Sequence, residues 1–173
     1  SEWDTDEEPT SPKGHELPAH LVEAAGKDDV ATIVKWLDHG GGHVDARHSR
    51  ETSSVCGLTM LMVASTKGKA RVVAFLLQRG AAVNLQTPAP TEGFTALMGA
   101  CATGQAPVVA QLLESMADVE LCAGANKGTT ARQLAERKAH HCCSLLIEQH
   151  VAQQLRQTRR QRREWRKLDW MHS

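Results

Sequence analysis

A chain of 173 residues is long enough for one domain with a real core. Its 20 Lys and Arg match its 20 Asp and Glu, so no global field argues for nucleic acid or a membrane. No apolar run reaches the ~18–20 residues of a membrane span and no signal-peptide pattern is present, while Cys56, Cys101, Cys122, Cys142 and Cys143 are an odd set without paired spacing, which reads as a reducing compartment.

The charge is unevenly spread. Residues 1–16 carry Glu2, Asp4, Asp6, Glu7, Glu8 and Glu16 against Lys13, and are expected to form an acidic arm, extended or disordered. Thr5 and Ser11 stand in short patterns that suit phosphoacceptors but recur by chance. His15-Glu16-Leu17-Pro18-Ala19-His20 has only the composition of a zinc-protease helix. Its histidines are five apart, not four, and Pro18 interrupts the turn, so it reads as a helix start. Leu21, Ala24 and Ala25, then Ile33, Val34, Trp36 and Leu37, mark two short helices, the second ending at Gly40. Gly40-Gly41-Gly42 is no phosphate loop, because no Lys-Ser/Thr follows it. Residues 43–56 form an over-long connection.

From Gly57 to Asn84 the chain reads GLTMLMVASTKGKARVVAFLLQRGAAVN. Gly-x-Thr opens it, a first short helix closes at Gly68, and Val72, Val73, Leu76 and Leu77 give a second helix one buried stripe. Gly80 ends that helix, where a left-handed residue costs little without a Cβ. The same pattern returns from Gly93 to Glu120, with Gly104, Val108, Val109, Leu112 and Leu113 in register. A weaker copy starts at Gly128-Thr129-Thr130 and keeps Leu134, Ala135, Cys143 and Ile147. In it Arg132, Ala139 and Glu148 replace two core leucines and the glycine, as expected of a terminal cap. Between the strong copies, Leu85 to Glu92 is a long, Pro-stiffened tip. Gly124 to Thr130 has phosphate-loop composition in the wrong order, and His140-His141-Cys142-Cys143 points round a helix rather than to one face, so neither a nucleotide nor a metal site is expected. From Lys138 to Leu168 no Gly or Pro occurs, and one long helix is expected to project from the last copy.

Repeated helix pairs with a turn between copies are the signature of a solenoid. These residues resemble the ankyrin repeat, although Met60 and Met62 replace the usual Pro and His, and Met116 a terminal Gly. The resemblance covers about residues 17–149, in units of about 17–46, 55–86, 91–122 and 126–149, between the acidic arm at 1–16 and a basic helical tail at 150–173. It implies an all-α ankyrin-repeat solenoid of about four helix-turn-helix repeats with a long C-terminal helical extension. It also implies where a partner is met. The exposed ends of the first helices are Gly26 and Lys27, Thr66 and Lys67, Ala102 and Thr103, Arg137 and Lys138, and the finger positions are Leu58, Gln86, Glu92, Phe94, Asn126 and Lys127. Lys27, Lys67, Lys127, Arg137 and Lys138 would form a mildly basic concave strip, suited to an acidic or phosphorylated segment. Basic residues on a solvated face need no partner, and the two readings stand level.

The family is a binding scaffold, and no Ser/His/Asp, Cys/His or carboxylate pair is placed for chemistry. The expectation is a non-enzymatic protein-interaction adaptor in a cytoplasm or nucleus, without cofactor or small-molecule substrate. A removed targeting segment ahead of Ser1 would instead put it in an organelle matrix or stroma. The alternative is a structural subunit of a large protein or ribonucleoprotein complex. There the tail residues Arg156, Arg159, Arg160, Arg162, Arg163, Trp165, Arg166 and Lys167 would contact RNA, DNA or an acidic protein. Arg-rich helices also serve as import signals, plain surface helices and calmodulin targets.

Overall fold

Three threonines set the frame. Thr59, Thr95 and Thr130 each take extended backbone and accept a hydrogen bond from the amide three residues on, at Met62, Met98 and Gln133. Each thereby caps a helix start whose first amides have no partner within the helix. At Thr130 the Gln133 side chain also accepts from the Thr130 amide, completing a capping box. The computed structural model of the protein describes residues 16–48, 57–88, 93–124 and 128–171, with side chains described as far as residue 164.

Within those residues the helices come in pairs. They are α1 (Ala19–Lys27) with α2 (Val30–His39), α3 (Met60–Thr66) with α4 (Ala70–Gln78), α5 (Ala96–Ala102) with α6 (Ala106–Glu114), and α7 (Ala131–Arg137) with α8 (His141–Met171). The first helices stack side by side in the order α1, α3, α5, α7; the second helices form a parallel layer, α2, α4, α6, α8. Helices this short are unstable alone and depend on burial of one face. One apolar cluster supplies it, running from Leu17 and Leu21 through Leu61, Leu76, Leu97 and Leu112 to Cys143 and Ile147. Val108, Val109, Leu112 and Leu113 are all buried, whereas Leu77, expected in the same stripe, is half-buried. Arg132 and Glu148, which stand where other copies have leucine, pair with each other at 2.7 Å across α7 and α8.

The turn inside each pair needs a left-handed residue, and the four copies supply Asp28 (φ 65°), Gly68 (68°), Gly104 (74°) and Ala139 (58°). The two glycines are closely overlain. A Cβ at Gly68 would lie 2.2 Å from Gln105 Oε1, and one at Gly104 2.7 Å from His140 Nδ1. Glycine is therefore required at these two turns, where a Cβ would meet the next copy, and the last copy, which none follows, carries alanine. This corrects the expectation of unbroken helix from Lys138. The chain turns at Lys138–His140, α8 begins at His141, and it then passes residues 149 and 150 without a break. Helix α2 ends at Gly40 as expected; the left-handed residue that follows is Gly41, and Gly42 lies beneath the Trp36 ring.

Between pairs the chain forms hairpin stems. His48 pairs with Gly57 and Leu58, Thr87 with Gly93 and Phe94, and β1 (Cys122–Ala123) with β2 (Thr129–Thr130). The tips at 49–56, 89–92 and 125–127 lie outside the described residues, as does the arm at 1–15.

Candidate partner-binding surface

The stacking of α1, α3, α5 and α7 brings their C-terminal ends into one row. Lys27 closes α1, while Lys67, Thr103 and Lys138 are the C-caps of α3, α5 and α7, with Arg137 in the last turn of α7. The sequence-derived positions are thus assembled on one edge. Lys67, Arg137 and Lys138 are exposed and have no carboxylate partner among the described residues, whereas Lys27 is paired with Glu23 one turn earlier, which holds that carboxyl below its usual range. Each of these cations also stands at the partially negative end of a helix, which favours it without any partner.

The threonines of the row have another task. Thr66 Oγ1 donates to the Met62 carbonyl at 2.8 Å, and Thr103 Oγ1 lies 2.9 Å from the carbonyls of both Gly99 and Thr66. Thr103 therefore ties α5 to α3, and both hydroxyls are engaged within the fold.

The finger positions need correction. Leu58 and Phe94 are half-buried against the core, not offered at a tip. Gln86 is half-buried too, and its amide donates to the Gly93 carbonyl in its own hairpin (3.2 Å) and to the Cys122 carbonyl in the next (3.3 Å). Glu92, Asn126 and Lys127 fall outside the described residues, and so do the side chains of Trp165, Arg166 and Lys167.

Two residues absent from the sequence reading complete this scaffold. The Arg47 guanidinium donates to the Gly57 carbonyl (3.1 Å) and the Gln86 carbonyl (3.0 Å), linking first hairpin to second as Gln86 links second to third. Asp45 accepts from the Ala82 amide (2.9 Å), and Asn84 from the Asp118 amide (2.8 Å), a second line of bonds from copy to copy. The signal lay in Val44-Asp45, which matches Val83-Asn84, but the long connection at 43–56 displaces it from the common spacing.

A family model for ankyrin repeats, in three copies, matches residues 21–122. The chain belongs to the ankyrin-repeat family. Comparison with curated proteins gives no match. The matched span holds the first three helix pairs; the α7–α8 pair, stacked on α5 and α6 beyond it, supplies a fourth to this ankyrin-repeat solenoid. Ankyrin repeats in general are protein–protein interaction modules, and no helix among the described residues is long and apolar enough to cross a membrane.

The chemistry elsewhere is structural. Arg79 grips Asp38 with both arms of its guanidinium and lies over the Phe75 ring, tying α4 to α2 and holding the Asp38 carboxyl below its ordinary value. Burial, reinforced by nearby Cys143, pushes the Cys101 thiol up to about 12, and burial raises Cys143 as well. Thiols held protonated make poor nucleophiles and poor metal ligands. Among the described residues no group of three or more His, Cys, Asp or Glu is placed to hold a metal ion.

Proposed function

We propose that the protein is a non-enzymatic adaptor whose ankyrin solenoid grips an acidic or phosphorylated protein segment along the edge formed by the first-helix ends. The observation that carries this reading is the alignment of Lys67, Arg137 and Lys138, exposed and without carboxylate partners among the described residues, on a stack held rigid by three lines of copy-to-copy hydrogen bonds. A pre-ordered cationic row loses little entropy on meeting an extended anionic segment, and like-charged partners are rejected.

The test is site-specific photo-crosslinking. A crosslinker at Lys67 or Lys138 is expected to capture a discrete partner, and one at Gln78, on the second-helix layer, is not. The triple variant K67E/R137E/K138E is expected to lower affinity for the captured partner at least tenfold, roughly 1.4 kcal/mol or more, with unchanged thermal unfolding. Equal capture from both faces, or unchanged affinity of the variant, would sink the proposal.

A further inference from the structure

Helix α8 does far more than close the solenoid. Cys143 and Ile147 are buried in the core, and His150 and Val151 are half-buried, but every residue from 152 to 164 is exposed. The side of α8 that turns toward α6 continues as His150, Gln154, Gln157, Thr158 and Gln161, which with Leu113 and Met116 line a groove of about 590 Å³. At 3.6 residues per turn the opposite side carries Arg156, Arg159, Arg160 and Arg163, at spacings of three, four and seven, with Arg162 at its flank. Arg160 is paired with Glu164; Arg156, Arg159, Arg162 and Arg163 have no carboxylate partner among the described residues. Arg156, Arg160 and Arg163 thus turn away from the α6 groove, while Arg159 and Arg162, four and seven residues past Leu155, continue the side that borders α7.

We infer that this outer face of α8 binds the phosphate backbone of a nucleic-acid duplex. One observation decides for phosphates over an acidic protein. Protein interfaces draw their affinity from desolvated apolar or aromatic anchors ringed by polar groups. From 152 to 164 the only apolar residues are Ala152 and Leu155, and Leu155 lines the other groove, beside α7. Arginines without an apolar centre among the described side chains fit a partner whose affinity comes from charge neutralisation and counterion release. The cations are also arginine throughout, whose planar fork holds two oxygens of one anion at once, phosphate or carboxylate. A helix with its arginines spread over less than half its circumference can meet the two backbones that border a groove. This inference is independent of the concave-edge reading, because it uses different residues on the opposite layer.

The measurement is fluorescence anisotropy of the intact chain with a short labelled DNA duplex and, separately, an RNA duplex of the same sequence. Four phosphate contacts predict a log–log salt slope of about −3.6, hence an affinity falling by about two orders of magnitude between 50 and 200 mM salt. The variant R156Q/R159Q/R160Q/R163Q is expected to lose that binding while keeping its circular dichroism and unfolding curve, since all four side chains are exposed. K67Q/R137Q/K138Q is expected to bind duplex as the parent does. A preference for one duplex over the other would name the source. The inference is overturned if neither duplex binds at 50 mM salt, if the quadruple variant binds like the parent, or if a poly-glutamate peptide displaces duplex as well as unlabelled duplex does.

Discussion

At the residue scale the informative position is Ala139. A side chain in the left-handed region costs roughly 1–2 kcal/mol relative to glycine, partly offset by the larger entropy glycine loses on folding. Ala139→Gly is therefore expected to stabilise the protein by about 0.5–1 kcal/mol. Gly104→Ala should destabilise it by more than about 2 kcal/mol, because strain is joined by collision with His140. Chemical denaturation of the two variants checks both signs. Cys101 makes a second residue-scale prediction. Its thiol is held protonated in the fold up to about 12, against an ordinary value of 9.0. Below pH 9 both folded and unfolded chains keep the proton, and the residue adds no pH dependence. Between about 9 and 12 only the unfolded chain releases it, so stability must fall as pH rises through that window. The melting temperature of the parent is expected to drop more steeply above pH 9 than that of Cys101→Ala, whatever their offset at pH 7.

At the element scale, α8 combines a cap with an extension, and the two parts separate in their energetics. Its first turns bury Cys143 and Ile147 and carry Glu148 to Arg132. Solenoid stability is a sum of repeat and neighbour-interface terms, so loss of the last layer exposes the apolar face of the one before it. A chain ending at residue 157 is expected to melt within about 2 °C of the parent, because every residue from 158 to 164 is exposed. A chain ending at residue 140 is expected to melt many degrees lower or to aggregate. Differential scanning calorimetry on the two truncations distinguishes a cap that ends near Val151 from one that needs the whole helix.

Those elements also show what local sequence can disclose. Gly-x-Thr and Val-Val-x-x-Leu-Leu are short-range patterns whose consequences, a capped start and a buried stripe, are local too, so α3 to α6 were legible before any coordinates. The end of α7 was not. Its turn uses Ala139 in place of glycine, and alanine is the best helix former, so propensity pointed the wrong way until stacking showed that no later repeat presses on that Cβ. The row of first-helix ends was readable from the repeat register. Its chemistry was less so, because whether Gln86 or Thr103 is offered outward or bonded inward depends on a carbonyl some 36 residues away. Arg47 was hidden for the same reason, since both of its acceptors lie in other parts of the hairpin row.

At the scale of the whole molecule, four helix pairs of like geometry share one core, and the bonds that join them run mostly between neighbours. Two surfaces of different chemistry follow from that arrangement. One is the sparse cationic row along the first helices, the other the dense arginine face on the opposite layer, while six of the 20 acidic residues stand within residues 1–16 at the other end of the chain. A net charge of zero therefore conceals a sequence whose two ends carry opposite charge.

The rod-like continuity of α8 has a geometric consequence. No turn intervenes between its core-anchored base and its arginines, so the heading of those arginines is fixed by residue count alone. Adding or deleting one residue just after Val151 would swing them about 100° around the axis, out of line with whatever they meet, while adding seven would push them about 10 Å outward with nearly the original heading.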